Sequence, residues 1–322
     1  MKNSLATTIA GLALWAVSWT ALAQDNFPTA PLKVVVPYPP GASTDAIGRL
    51  LAQKLSTQMN ASAVVENKAG ANGNIGADFV AKSRPDGHTI LFHTSSLVLS
   101  PAFGEKVGYD MFKDMAPVAL VAAAPLVLFV TPSVPVNTTT EFIAHLKANP
   151  DKIAYGSTGV GSITHLGALL FLQASNLTSL HVPYKGGSEV VVDVAAGRVQ
   201  FGVQSMVSVL PFAKDTRVKV LGVGGLKRSA LLPDVPTLAE AMPGFEIGLW
   251  FGVLAPIKTP PTIVRRLNAE IMKMLQDPDA KVRLARESAD PLGSTPEEYG
   301  TYLKSELERW TRVIKTAGVK LD

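Results

Sequence analysis

Two stretches of the chain gather small residues rich in hydrogen-bond donors between an extended run and an apolar helix. The first is Val36-Pro37-Tyr38-Pro39-Pro40-Gly41-Ala42-Ser43-Thr44-Asp45. The second is Tyr155-Gly156-Ser157-Thr158-Gly159-Val160-Gly161-Ser162-Ile163-Thr164-His165. A helix N-terminus leaves about four backbone N–H groups unpaired and carries the positive end of the helix dipole, so it suits an anion. Glycine lets the backbone approach a bound group closely, and Ser and Thr hydroxyls add donors. A turn with a good cap would explain one such loop. The same design in each half of the chain is better evidence for a ligand, and on the residues alone a ligand loop and a capped turn stand level. Asp45 reads equally as a brace for its loop or as a contact.

Three further stretches end extended runs with polar groups: His93-Thr94-Ser95-Ser96, Pro183-Tyr184-Lys185-Gly186-Gly187-Ser188 and Gln204-Ser205. Each taken alone is ordinary turn chemistry. Taken together they place Thr94, Ser95, Tyr184, Lys185 and Gln204 at strand ends on one presumed cleft. His88 and His93 bracket a short strand and read as edge residues.

Other chemistries lack their residues. The nucleotide loop G-x-x-x-x-G-K-S/T is absent, and the spacing of Gly156, Gly159 and Gly161 is wrong for a dinucleotide fingerprint. No G-x-S-x-G elbow occurs, and Ser162 and His165 on one helix face lack a third orienting group. Five histidines without H-x-H or H-E-x-x-H pairing, and no cysteine, nominate no metal site. Neither a catalytic residue nor a cofactor is nominated. The net charge of +4 is scattered, without the basic stripe of a nucleic-acid binder.

The elements that must carry these loops alternate. Strands are expected at Lys33–Val36, Ala63–Val65 and Thr89–Phe92, with an amphipathic helix through Ile47, Leu50, Leu51 and Leu55. A second set runs through strands at 126–130, 153–155, 180–182, 200–203 and 218–223, with helices at Thr140–Lys147, around Leu166–Leu170 and at Val190–Ala196. Pro261 opens a helix carrying Leu267 and Ile271. Thr295-Pro296-Glu297-Glu298 is a capping box whose helix runs to Gly318. Strand–helix alternation of this kind gives an α/β fold with mostly parallel sheets. Two extended runs, Ala124–Thr131 and Gly248–Ala255, are candidates to cross between two lobes, leaving a ligand cleft between them.

The first residues address the chain. Lys2, the apolar run Leu5–Ala23 and the exit Ala21-Leu22-Ala23 read as a cleaved secretory signal, residues 1–23. The competing reading is a membrane anchor, since the run is almost of spanning length. Cleavage leaves 299 residues, enough for two lobes and a large core without disulfides. A lipid-modified cysteine anchor is excluded by the absence of cysteine.

With these loops assembled, the chain resembles the Bug family, the extracytoplasmic solute receptors of tripartite tricarboxylate transporters. The likeness rests on Val36–Asp45, Glu66-Asn67-Lys68-Ala69-Gly70-Ala71-Asn72-Gly73-Asn74-Ile75-Gly76, Tyr155–His165 and Val182-Pro183-Tyr184-Lys185-Gly186-Gly187. Leu232-Pro233-Asp234-Val235-Pro236-Thr237, Leu249–Pro256 and the helical tail also fit, so it spans nearly all of residues 31–320. It implies a type II periplasmic-binding-protein fold of two lobes, each a mixed sheet flanked by helices: 24–126 plus 250–322, and 127–249. It also implies that the two loops clamp a carboxylate. Tyr38, Gly41, Ala42, Ser43, Thr44 and Asp45 match the first loop, and Ser157, Thr158, Gly159, Ser162 and His165 the second. Ala42 stands where many members carry a second glycine. Gln204-Ser205 stands where many carry an acid, which argues against an amino-acid ligand.

The expected function is a monomeric periplasmic receptor that closes on an aliphatic or aromatic mono- or dicarboxylate and delivers it to a membrane permease. Tyr38, Phe92, Tyr184 and Trp250 would line an aromatic cleft or belong to the core. The rivals are a receptor that reports to a sensor and a periplasmic hydrolase using Ser162 or Ser43. Neither an enzyme nor a nucleic-acid partner is expected.

Overall fold

The computed structural model describes residues 27–320 other than Ala42 and Asp151. The expected signal peptide, residues 1–23, and Ala42 of the first loop lie outside the described residues. The chain opens with β1 (Leu32–Val36), α1 (Ser43–Met59), β2 (Ala63–Asn67), α2 (Asn74–Ala81) and β3 (Thr89–Thr94). Then come α3 (Ser96–Ala102), α4 (Met111–Asp114) and the long β4 (Met115–Val130). The second unit comprises α5 (Thr139–Ala148), β5 (Ala154–Ser157), α6 (Ile163–Ala174), β6 (Leu180–Pro183) and α7 (Gly187–Ala195). It continues through β7 (Phe201–Ser205), α8 (Met206–Lys214), β8 (Lys219–Val223) and α9 (Leu238–Ala241). The chain returns through β9 (Gly248–Pro256) and ends with α10 (Pro261–Gln276), α11 (Pro278–Arg286), β10 (Asp290–Pro291) and α12 (Pro296–Ala317).

Local sequence accounts for most of these. The Ile47, Leu50, Leu51 and Leu55 stripe of α1 is buried. Thr295 and Glu298 form both halves of the capping box on α12, and Gly318 ends it in the left-handed region, where glycine has no Cβ to strain. The tail helix that Pro261 opens is broken at Asp277-Pro278, where the Asp277 carboxylate caps the new helix by accepting from Asp279 and Ala280 N–H. α3 and α8 contain Pro101 and Pro211, which conceal their helical character in the sequence. β4 also begins earlier than its apolar run suggests. Pro117 falls at a register irregularity and Pro125 opposite Gly248 at the end of the β4–β9 ladder, the two kinds of place a strand tolerates a residue without an N–H.

Strand order is β2-β1-β3-β9-β4-β7-β5-β6, with β8 and β10 also on β4. Residues 115–125 of β4 pair antiparallel with β9, and residues 126–130 pair antiparallel with β7 and β8. One strand therefore serves two sheets. Helices cover both faces of each. Around the first, α1, α10 and α11 pack on one side, and α2, α3 and α12 on the other. Around the second, α5 and α6 pack on one side, with α7 and α8 opposite. This is a two-lobed α/β fold of the periplasmic-binding-protein type.

The pairing senses determine where the loops go. β3 and β4 are both antiparallel to β9, so β1, β2 and β3 run in the direction in which β4 leaves the first sheet. β7 is antiparallel to β4, and β5 and β6 are parallel to β7, so these three run back toward the first sheet. The carboxyl ends of β1, β3, β5, β6 and β7 thus face one another across the junction.

At that junction three segments lie side by side. Gly224 N–H donates to Leu126 O at 2.7 Å, and Ile247 N–H to Gly224 O at 2.9 Å. Beside them the buried Glu306 carboxylate of α12 accepts from the indole N–H of Trp250 at 3.0 Å and of Trp310 at 3.1 Å, and from Arg309. Arg309 also donates to Glu246 O, so the last helix holds the returning strand where it enters the first sheet.

A methyl group at Gly224 would collide with the Ile247 carbonyl and lie 2.9 Å from that of Leu126, both backbone atoms that no rotamer change can move. Gly224→Ala is therefore expected to lower unfolding stability by about 1–3 kcal/mol, the range for overpacking. Urea titration followed by circular dichroism reads it directly, and an unchanged midpoint contradicts the close packing of the junction.

Candidate functional site

The first loop is shaped by an acid that is fully occupied. Asp45, 4 % exposed in the first turn of α1, accepts from Gly41 N–H at 3.0 Å, Arg49 Nε at 2.9 Å and Asn67 Nδ2 at 2.9 Å. Burial alone would raise its pKa, but these hydrogen bonds outweigh it and hold the carboxyl below its usual range. Gly41 supplies the left-handed turn, φ 89°, that brings its N–H back onto Asp45. Asn67 also donates to Tyr38 O at 3.0 Å, joining the end of β2 to the loop after β1. Asp45 braces the loop, leaving Ser43 and Thr44, half-buried, at the positive end of α1.

The Tyr38 hydroxyl reaches the end of β3, where it bonds Thr94 Oγ1 at 2.7 Å and Ser96 Oγ. Burial raises its pKa against the lowering effect of these partners. His93 lies beneath, wholly buried, its Nδ1 accepting from Thr94 N–H at 2.8 Å. Its placement corrects the reading of His93 as an edge residue: β3 is flanked by β1 and β9, and burial brings its pKa down to about 4. His88 does bracket the strand, but works as an acceptor for Thr29 and Ala30 N–H at 3.1 and 3.2 Å. Among the described residues the buried Ser95 hydroxyl has no partner, while its N–H donates to Trp250 O at 3.1 Å.

In the second loop, hydroxyls hold backbone in place. Ser162 caps α6 by accepting from His165 N–H at 3.2 Å and donates to Gly159 O at 2.7 Å. Thr164 Oγ1 accepts from Thr158 N–H at 2.9 Å and bonds the Thr158 hydroxyl at 2.9 Å. Ser157 Oγ bonds His181 Nε2 at 2.6 Å and accepts from Gly159 N–H at 3.2 Å. His165 Nδ1 accepts from Gly161 N–H at 3.1 Å. Gly159 and Gly161 take φ of 108° and 74°, values that only glycine adopts without strain. Among the described residues, nothing accepts from the N–H groups of Val160, Ile163 and Thr164, at the open end of α6.

Behind that loop the His165 and His181 rings stack at 4.0 Å, with Tyr155 stacked on His181 at 4.9 Å. Burial first, and then the neighbouring His181, brings His165 to about 4, and burial lowers His181 as well. The two rings pack as a neutral plate under the loop. Thr164 and His181 carry no mark in the sequence that separates them from ordinary helix and strand residues. Only the stacking and the hydroxyl contacts reveal them.

Among the remaining expected residues, Tyr184 is half-buried with its hydroxyl donating to Asp193 at 2.8 Å, and burial with that partner pushes it up to about 12. Lys185 is exposed, its N–H donating to Glu189 at 3.3 Å. Gln204, 2 % exposed at the end of β7, has no partner for its amide nitrogen among the described residues. Phe92 and Trp250 belong to the core. Phe92 stacks on Phe251 at 5.9 Å, and Trp250 packs edge-on against Tyr299 and Tyr302.

A two-lobed α/β protein with donor-rich helix ends meeting across its junction belongs to the class of solute-binding receptors. Residues 47–319 match the family described as the tripartite tricarboxylate transporter family receptor, TctC. The chain belongs to that family, a family of solute-binding receptors and not of enzymes. It is 35 % identical over 303 residues to protein BugT of Bordetella pertussis, covering 93 % of each chain. It is similar to two solved proteins of Rhodopseudomonas palustris. Rpa4515, solved with adipate, is 34 % identical with a TM-score of 0.75, over 91 % of this chain and 99 % of that one. MatC, solved with malate, is 29 % identical with a TM-score of 0.73, over 89 % and 100 %. Among the described residues no helix is long and apolar enough to cross a membrane.

The buried histidines carry a pH dependence. His93 and His165 stay neutral in the fold down to about pH 4, while in the unfolded chain they take up protons near 6.5. The unfolded state binds more protons between those values, so their stabilisation is complete above 6.5 and is lost as pH falls toward 4. Each contributes up to about 1.4 kcal/mol per pH unit. Unfolding free energies from urea titrations at pH 7 down to 4 should fall accordingly. His165→Asn, which keeps an acceptor near Gly161 N–H, should flatten part of that slope, and an unchanged slope rules out its neutral burial.

Proposed function

We propose that the chain is an exported, monomeric receptor that captures a small organic carboxylate between its lobes and delivers it to the membrane subunits of a tripartite tricarboxylate transporter. The lobes are residues 24–126 plus 250–322, and 127–249. The observation that carries this reading is the arrival of the N-termini of α1 and α6 at one junction from opposite sheets, with the one carboxylate of those loops, Asp45, already bonded by three donors. What remains at those ends is donors, and charge-assisted hydrogen bonds let neutral donors hold an anion. The adipate and malate of the two R. palustris relatives support the ligand class. Closure of the lobes over the acid would exclude water and create the surface the permease recognises. Residues 1–23 act as the signal peptide in this reading, and mass spectrometry of the secreted protein should find Gln24 first.

Thermal-shift screening of aliphatic and aromatic mono- and dicarboxylates, confirmed by calorimetry, tests the proposal, since a ligand that binds only the folded state raises the melting temperature. Binding of amines or sugars, and of no carboxylate, overturns it. Ser95→Ala separates binding from folding. Its buried hydroxyl has no partner among the described residues, so removing it leaves the free protein as stable or more so. Loss of a donor to a charged ligand costs about 1.5–3 kcal/mol, at least tenfold in affinity. Unchanged affinity in that variant removes Ser95 from the site.

A further inference from the structure

One flank of the molecule carries an apolar groove that the carboxylate site does not use. β10 and then β7 take the edge of β4 that β9 leaves free, at Ala122 and Ala123 and from Leu126 onward. Only three residues, about 10 Å of strand, separate them, so the end of α11 and the start of α8 meet beside the junction. Between them lies a hollow of about 420 Å³, lined by Val207, Leu210, Lys214 and Leu231 on one side and by Ala285 and Arg286 on the other. A second hollow of about 530 Å³ shares Leu210, Lys214 and Leu231 and continues the groove along β8. Val207 is 40 % and Leu231 42 % exposed. Val207, Leu210 and Lys214 recur at helical spacing, so α8 turns this stripe outward while Met206 and Val209 enter the core.

The groove is also short of negative charge. Lys214 and Arg286 are exposed, and among the described residues neither meets a carboxylate. Arg283, one turn before Arg286, is by contrast paired with Asp279 at 4.0 Å and bonded to Gln53 at 2.6 Å. Asp234, the one carboxylate lining the two hollows among the described residues, has Arg228 as a neighbour. Apolar side chains exposed together mark a contact surface, and unpaired cations among them suit an acidic partner. The loops that a membrane protein presents away from the cytoplasm are the ones depleted in Lys and Arg. We propose that this groove is the docking face for the membrane permease, seating an apolar, carboxylate-bearing periplasmic loop of that protein between α8 and the end of α11. The proposal rests on the delivery reading above and adds the face that makes the contact. α8 packs on the second sheet and α11 on the first. A change in the angle between the sheets on ligand capture therefore alters the groove, which lets the permease distinguish a loaded receptor from an empty one.

Site-specific photo-cross-linking in the cells that naturally make this receptor tests the proposal. A benzophenone-bearing residue is placed at Val207, Leu231 or Ala285 in the groove. Phe112 on α4 and Leu180 on the outer edge strand β6 are the exposed apolar positions for comparison. The groove positions are expected to capture a membrane subunit of a tripartite tricarboxylate transporter, identified by mass spectrometry, and the other two are not. Lys214→Glu with Arg286→Glu should lower that yield about tenfold or more, the lower end of what electrostatic steering contributes. The urea midpoint should stay at the wild-type value, because neither side chain is paired in the fold. Lys214→Gln with Arg286→Gln carries the test if the charge reversal fails to fold. Capture of the membrane subunit from Phe112 or Leu180 alone, or an undiminished yield in the folded variants, overturns the docking face and leaves the delivery reading intact. Capture of only a second copy of the receptor, or of no membrane subunit from any position, overturns both.

Discussion

The structure depends on one strand being shared between two sheets. β4 leaves β9 at Pro125 and takes up β7 and β8 at Leu126 without a break, so the two sheets have a fixed sense relative to each other. Parallel α/β units place their loops and helix N-termini at strand carboxyl ends. With β4 antiparallel to β7 and in the same sense as β1 and β3, those ends meet across the junction. Every loop that bears donors is carried there by this geometry. The Gly224, Leu126 and Ile247 backbone ladder and the Glu306 contacts with Trp250 and Trp310 hold the strands that make it.

Polar residues at the junction divide into those that shape it and those it leaves unpaired. Asp45, Asn67, Ser157, Ser162, Thr164 and His165 spend their hydrogen bonds on backbone or on neighbouring side chains, which fixes loops whose glycines would otherwise be free. Such bracing lowers the ordering cost that a ligand would have to meet. The Ser95 hydroxyl, the Gln204 amide and the N–H groups opening α6 are left without protein partners among the described residues. In a protein interior, polar groups without partners are uncommon. Their gathering at the facing edges of two sheets is what a bound acid would explain. Neutral histidines beneath the loops serve the same end, since rings charged at neutral pH would compete with backbone donors for the acid.

Much of the architecture was legible in the sequence because it rests on local patterns. The stripe of α1, the capping box of α12, Gly318 and the alternation of strands with helices follow from periodicity and cap chemistry. The run at Gly248–Ala255, which lies wholly in the first sheet as β9, and the C-terminal half of β4 showed as long extended stretches. Other elements were hidden for stated reasons. Proline in α3, α8 and β4 signals a break, yet tertiary pairing and packing keep each element whole. Phe92 and Trp250 looked equally suited to a cleft or a core, because an aromatic residue in a buried strand has the same local pattern in both.

By itself the sequence determined the two donor-rich loops, the α/β class and the absence of nucleotide, hydrolase and metal motifs, since these depend on residue type and near spacing. The resemblance carried by Val36–Asp45, Tyr155–His165 and their companion motifs named the family. Only the tertiary structure decided which of the loop residues are braces. A hydroxyl or imidazole shows its role through what lies within about 3 Å of it, and those neighbours come from distant segments: Asn67 for Asp45, His181 for Ser157, Gly187 for Gln204. The pairing of β1 with β2, and of β5 with β6 and β7, brings them together.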